Sequence, residues 1–125
     1  MTLERDHISH LLADLLAAPL LKFPKKGERL VCTTDRGVYA VYGADGGVEH
    51  VGNTPRGKDG LLGRLQDHLN GNSSYTRAVH GGDGACLREG YAYRCLVVED
   101  ARTRVLLEAL AVGTLCPRHL GTWFS

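Results

Sequence analysis

The sequence lacks the features that would point to a membrane, an export signal or a cysteine-stapled scaffold. No apolar run approaches the roughly 18 residues of a membrane span, and charged residues among positions 1–21 interrupt any signal-peptide core. The four cysteines are scattered without CxxC pairs, so neither a zinc site nor a disulfide framework is predicted. We therefore expect a cytoplasmic protein with reduced thiols.

The chain also has almost no net charge, because its 15 basic and 14 acidic residues leave a formal charge of +1. This balance excludes a polybasic tail protein, and bulk charge gives no sign of a nucleic-acid partner. The basic set nevertheless contains eleven Arg and only four Lys. Arginine suits bidentate contacts with phosphate or carboxylate. With 125 residues, the chain is long enough for one domain.

Apolar residues at helical spacing between positions 8 and 16 predict an amphipathic N-terminal helix, which Pro19 terminates. A basic turn containing Lys25 and Lys26 follows the helix. We expect residues 1–27 to form this helix and turn, packed on a main domain of residues 28–125. Because an exposed leucine edge on the helix would need covering, we also expect a homodimer formed through it.

The rest of the chain alternates between strand and helix patterns. Strands are indicated by β-branched and aromatic residues, helices by leucines at helical spacing, and turns by glycine-rich runs. The predicted elements are a hairpin at 37–42 and 48–51, a helix at about 61–70, a polar loop to residue 90, a strand at 91–98 and a helix at 99–113. This order predicts a small α+β domain in which a three-stranded mixed or antiparallel sheet is flanked by helices.

Four residues stand out as candidates for chemistry. Glu108 lies in an apolar helical stretch, where a carboxylate is costly unless it is paired or binds a metal. Arg64 and His68 are four residues apart on one predicted helix, so their side chains project from the same face. Tyr39 lies on the first strand of the hairpin. Taken singly, these residues have ordinary explanations: a carboxylate that faces solvent, a surface pair and a core tyrosine.

Considered together, the candidates follow a known catalytic pattern. In chain order, the pattern is Gly37-Val38-Tyr39, His50-Val51-Gly52, Arg64 with His68, and Glu108. It resembles the GIY-YIG endonuclease family, in which two short strands carry the GIY and YIG motifs and later helices carry an Arg and a Glu. The resemblance covers residues 36–120, and the Arg-x-x-x-His spacing is similar to that of the restriction-enzyme members.

The resemblance implies hydrolysis of DNA phosphodiester bonds assisted by one divalent cation, Mg²⁺ or Mn²⁺. Glu108 would hold the cation, because such a hard ion takes carboxylate and water oxygens. Arg64 would offer its planar fork to the phosphate and stabilise charge that builds in the transition state. Tyr39 would take or relay the proton of the attacking water, with help from the metal or from His68. No organic cofactor and no membrane contact are expected.

Two positions depart from the family pattern. His50 replaces the second motif tyrosine, and an imidazole that titrates near its ordinary pKa of about 6.5 is a competent base at neutral pH. Leu120 stands where the family has an Asn, so His119, Thr122 or no group at all would take over the role of that side chain. The alternative to an enzyme is a catalytically degenerate GIY-YIG-like module that binds nucleic acid or a partner protein without cleavage.

Contacts with DNA are predicted in three polar segments. These are the loop after the second strand, the polar loop after the following helix, and the basic turn, with the residues Arg56, Lys58, Tyr75, Arg77, Lys25 and Lys26. The cations would meet phosphates, and Tyr75 would stack on a base. For each of these residues, ordinary solvated surface is the alternative.

Overall fold

The computed structural model describes residues 3–54 and 57–121. Its elements, in chain order, are α1 (Leu3–Ala17), β1 (Leu21–Lys22), β2 (Gly37–Tyr42), β3 (Val48–Asn53), α2 (Gly60–Leu69), α3 (Ser74–His80), a 3-10 helix (Gly84–Arg88), β4 (Ala92–Val97) and α4 (Ala101–Leu115). The expected α+β class is confirmed. Within the two described ranges, each helix is too short or too polar to cross a bilayer.

The four strands form one antiparallel sheet in the order β1-β4-β2-β3. The expectation of three strands is corrected by β1, which pairs Leu21 with Tyr93 and Lys22 with Ala92 along the outer edge of β4. A strand of two residues is too short to show an alternating pattern. It forms where the chain that leaves α1 runs beside an open strand edge.

Side chains alternate along the central strand β2 and so enter two separate cores. Val38, Ala40 and Tyr42 belong to the apolar cluster under α1 and α4. Tyr39 and Val41 belong to the cluster under α2, α3 and the 3-10 helix. The sheet therefore separates two layers, and the candidate Tyr39 faces the layer that contains α2.

α1 packs with α4 on the face of the sheet opposite to α2. Its residues Ile8, Leu12 and Leu15 are buried, and the helix packs on α4 and β4. Leu15 has no exposed surface and Leu11 is partly buried, so the leucine edge that suggested a homodimer is covered within the chain. A homodimer through α1 stays a prediction without that support.

The polar stretch between α2 and β4 contains two short helices, so the expectation of a loop there is wrong. Ser73 caps α3 by accepting a hydrogen bond from the Thr76 N–H. Asp83 caps the 3-10 helix in the same way through the Ala85 N–H. These helices contain seven and five residues, which is too few for a clear apolar period. The capping residues Ser73 and Asp83 are the features of the sequence that could have indicated these two helices.

Candidate active site

Tyr39 occupies the middle of the sheet, and its side chain enters the α2 layer. Its register partner on the edge strand β3 is Gly52. A Cβ atom at position 52 would collide with the Tyr39 hydroxyl, so the glycine allows the phenol ring to lie across β3. The Tyr39 side chain has no exposed surface. Its hydroxyl is therefore held by protein groups and not by bulk water.

Two side chains of α2 act on this hydroxyl. His68 Nε2 lies 2.7 Å from Tyr39 Oη, and the charge of Arg64, one helical turn earlier, acts on the pKa of the same tyrosine. Burial raises the pKa of Tyr39 to about 12, the Arg64 guanidinium opposes this shift, and the Glu108 carboxylate adds to it. The four-residue spacing thus brings both Arg64 and His68 close to the Tyr39 side chain.

His50 lies beside this group, packed among other rings. Its ring stacks on that of Tyr75, with centroids 5.1 Å apart and planes inclined by 12°. His50 Nδ1 lies 3.1 Å from His119 Nδ1. Burial lowers the pKa of His50 from 6.5 to about 3, and the nearby His119 adds to this shift. His50 is therefore neutral at pH 7, and its pKa lies well below the ordinary value on which the sequence analysis relied. Its role as a base stays a prediction.

Tyr75 is also corrected by the structure, because it has no exposed surface. It lies on α3, and its hydroxyl donates to Glu49 Oε1 at 3.0 Å and lies 2.8 Å from His80 Nε2. A tyrosine in this position cannot stack on a base of bound DNA. It instead packs against the ring of His50.

Glu108 approaches the site from the other layer of the protein. It is half-buried on α4, and one of its oxygens accepts a hydrogen bond from the side-chain amide of Asn53 at the end of β3. Because Asn53 is the register partner of Val38, it lies on the α4 face of the sheet. Tyr39 and Glu108 therefore reach the Gly52–Asn53 segment of the edge strand from opposite faces.

Asn53 is a site residue that the sequence analysis did not single out. Its only sequence signal was its place directly after the His50-Val51-Gly52 motif. His119, one expected substitute for the missing family asparagine, lies 3.1 Å from His50, and Thr122, the other, lies outside the described residues. Leu120, at the position of that asparagine, is exposed. The side-chain amide that bonds to Glu108 is that of Asn53 on β3.

Glu108 is the one carboxylate that the sequence analysis named as a metal ligand. Within the described parts of the chain, no cluster of three or more His, Cys, Asp or Glu side chains could hold an ion. A single carboxylate fits Mg²⁺, which keeps several waters and completes its shell with substrate phosphate oxygens. It does not fit a structural zinc, which requires about four protein ligands. Mg²⁺ or Mn²⁺ at Glu108 therefore stays a prediction.

The predicted DNA contacts are distributed unevenly around this centre. Lys58 and Arg64 line one open cleft of about 180 Å³ at the start of α2. Arg77 is exposed on α3, and the exposed Lys25 and Lys26 follow β1. Arg56 lies outside the described residues. Of the described cations in this group, Lys58 is the one that the structure puts in the same cleft as Arg64.

Comparisons of the chain with known protein families, with characterised proteins and with solved structures found no significant match. The functional interpretation therefore depends on the arrangement of the side chains.

Proposed function

We propose that the protein is a GIY-YIG-like endonuclease that hydrolyses DNA phosphodiester bonds with the help of Mg²⁺. The observation that carries this proposal is the buried contact of 2.7 Å between Tyr39 Oη and His68 Nε2, together with the Arg64 guanidinium, whose charge opposes the rise in the pKa of the phenol. A phenol in contact with a proton acceptor and near a cation is arranged for proton transfer.

Tyr39 and His68 would act as one proton-transfer pair. As water attacks phosphorus, its proton passes to Tyr39 Oη, and the phenol proton passes to His68 Nε2. Burial lowers the pKa of His68 well below its ordinary value, so its lone pair is available at pH 7. Negative charge on a bound phosphate would favour the imidazolium that forms.

Arg64 would bind the phosphate that is attacked. Its side chain is 34% exposed and forms an ion pair of 3.2 Å with Asp67. Partly exposed pairs of this kind are weak, so a phosphate can take over one edge of the guanidinium. The planar fork then stabilises charge on the phosphate oxygens in the transition state.

Glu108 would be the protein ligand of the cation, with Asn53 fixing the orientation of its carboxylate. When bound, Mg²⁺ would neutralise charge on the scissile phosphate and help to ionise the attacking water. His50 has a different role from the one first expected. As a neutral ring stacked on Tyr75 and 5.2 Å from the ring of His68, it would restrict the movement of the Tyr39–His68 pair.

A second candidate is a silent module that binds nucleic acid or a protein without cleaving. The absence of exposed surface on Tyr39 favours it, because attacking water must reach that hydroxyl. The exposed Leu120 at the position of the family asparagine also favours it. The two candidates differ in turnover and in their response to metal.

The test uses purified protein with supercoiled plasmid, branched DNA and single-stranded DNA, each with Mg²⁺ or with EDTA. Cleavage and binding are measured in parallel, by gel electrophoresis and by fluorescence anisotropy. The enzyme predicts products with Mg²⁺ and none with EDTA. Binding that is equal in both conditions, without product from any substrate, would establish the silent module and reject the nuclease.

A further inference from the structure

A closed chain of hydrogen bonds lies behind His68, on the side away from Tyr39. His68 Nδ1 is 2.6 Å from Ser73 Oγ, Ser73 Oγ is 3.0 Å from Thr76 Oγ1, and Thr76 Oγ1 is 2.9 Å from the backbone oxygen of His68. The Thr76 N–H also donates to Ser73 Oγ at 3.1 Å. His68 and Thr76 have no exposed surface, and Ser73 is 4% exposed. Water is therefore not a partner in these hydrogen bonds, and each bond must use a proton that belongs to His68, Ser73 or Thr76.

Counting donors gives one arrangement. A carbonyl oxygen can only accept, so the Thr76 hydroxyl donates to the His68 backbone. The bond between Ser73 and Thr76 then requires the proton of the Ser73 hydroxyl. Ser73 Oγ now has two lone pairs left, one of which accepts the Thr76 N–H. The other must accept from His68, so the neutral imidazole has its proton on Nδ1 and its lone pair on Nε2.

We propose that Ser73, with Thr76, is a positioning residue that holds His68 as the Nδ1–H tautomer, with the Nε2 lone pair directed at the Tyr39 hydroxyl. This inference rests on the proposed function, because it assigns the proton acceptor in the Tyr39–His68 pair. Ser73 does not touch the reacting atoms. It acts through the other nitrogen of the ring.

The opposite tautomer would remove the proton acceptor. A free histidine side chain in water favours the Nε2–H form, which would direct a proton at Tyr39 Oη. The tyrosine proton would then lose the acceptor that Nε2 provides inside a buried site. The tautomer preference of free histidine therefore opposes the arrangement that Ser73 maintains, whereas the need of the buried Tyr39 hydroxyl for an acceptor favours it.

Ser73 has a second role, as the cap of α3, and the test must separate the two. Ser73→Ala removes both the cap and the acceptor for His68. Thr76→Val keeps the cap oxygen but frees the Ser73 proton, which can then donate to His68 Nδ1. Asp100→Ala removes the cap of α4, where Asp100 accepts from the Thr103 N–H, and serves as a matched loss of a helix cap elsewhere.

The readout is the tautomer of His68, measured by long-range ¹H–¹⁵N NMR on the full chain without DNA or metal. The His68 signals are identified by their loss in His68→Gln. We expect a protonated Nδ1 and an unprotonated Nε2 in the wild type and in Asp100→Ala. Ser73→Ala and Thr76→Val should shift His68 to the Nε2–H form or to a mixture. A wild-type Nε2–H signal, or a His68 tautomer that is unchanged in both Ser73→Ala and Thr76→Val, would overturn the proposal.

Cleavage assays on the same proteins add the functional consequence. Ser73→Ala and Thr76→Val should each reduce the rate about 10–100-fold, as loss of an outer hydrogen-bond partner typically does. Asp100→Ala should cleave like the wild type below its melting temperature. If no protein cleaves DNA, the NMR result still decides the tautomer, so failure of the nuclease and failure of the Ser73 assignment are distinguishable.

Discussion

The Tyr39 hydroxyl is the atom on which the proposed chemistry depends. Burial raises its pKa to about 12, while the Arg64 guanidinium opposes the rise. At pH 7 the phenol is therefore protonated, and it can act only by passing its proton to His68 as it receives another. At the scale of single residues, the tyrosine ring and its hydroxyl have separable roles, in packing and in proton transfer.

Tyr39→Phe should separate them. The ring remains in the α2 layer, but the proton path to His68 is lost, so we expect cleavage to fall about 10²–10⁴-fold. His68 Nε2 loses its buried partner, which should cost about 1–3 kcal/mol of unfolding free energy. Single-turnover cleavage and urea unfolding measure the two effects.

Tyr93→Phe is the matched control for this change. Tyr93 is also buried, at 3% exposure, and its hydroxyl makes a long hydrogen bond of 3.4 Å to the Val31 oxygen. It should leave the cleavage rate within about 2-fold of the wild type. Equal losses in the two variants would show that Tyr39 acts through packing alone.

Gly52→Ala tests the space that the Tyr39 ring occupies. The new Cβ would collide with the Tyr39 hydroxyl, so we expect the ring to move from His68 and cleavage to fall at least 10-fold. Gly113→Ala on α4 meets no atom within 4 Å, and should gain about 0.5–1 kcal/mol from helix propensity without loss of activity. Wild-type cleavage by Gly52→Ala would contradict the geometry of the site.

At the scale of elements, length decides what the sequence could predict. β2, β3, β4, α2 and α4 have enough residues to display alternation or helical spacing, and their predicted bounds agree closely with the structure. The two residues of β1 and the seven of α3 do not. They form because a neighbouring strand edge or a buried cap fixes them, and that information is not local.

α1 illustrates an element whose role the sequence indicated only in part. Its apolar stripe was clear, but the sequence does not say whether α4 or a second chain covers it. Because Leu15 is fully buried within the chain, Leu15→Ala should lower the free energy of unfolding by about 2–5 kcal/mol. Leu3→Ala, at a position that is 69% exposed, should change it by less than about 0.5 kcal/mol. Urea unfolding at two protein concentrations measures both, and equal effects would contradict the packing of α1.

At the scale of the whole molecule, contacts that are distant in sequence assemble the site. His50 meets His119 across 69 positions, and Asn53 meets Glu108 across 55. Helical spacing put Arg64 and His68 on one face, and the family resemblance joined Tyr39 to them as one set. It could not identify Asn53 or Ser73, because their partners are determined by how the layers pack.

The buried histidines should make the stability of the whole fold depend on pH. Burial lowers the pKa values of His50, His68, His80 and His119, so between about pH 3 and 6.5 the unfolded chain binds more protons than the folded one. The contribution of these neutral histidines to the free energy of unfolding is therefore fully present above about pH 6.5 and is lost as the pH decreases. Because its pKa is about 3, His50 alone should lower the free energy of unfolding by about 2 kcal/mol between pH 7 and pH 5.

Urea unfolding at pH 7 and pH 5 measures this difference. The control His10→Gln removes an exposed imidazole on α1, and should show the same loss of stability as the wild type. A free energy of unfolding that is equal at the two pH values would contradict the burial of the histidine cluster.

The central claim is that Glu108 and the Tyr39 group form one metal-dependent centre, and single-turnover cleavage by Glu108→Gln with Mg²⁺ tests it most directly. Glu99→Gln is the matched control, since it makes the same change at an exposed residue that precedes Asp100, the N-cap of α4. We predict that Glu108→Gln loses at least 10²-fold in rate and Glu99→Gln stays within about 2-fold of the wild type. Cleavage that survives Glu108→Gln, or fails equally in both variants, would contradict the account.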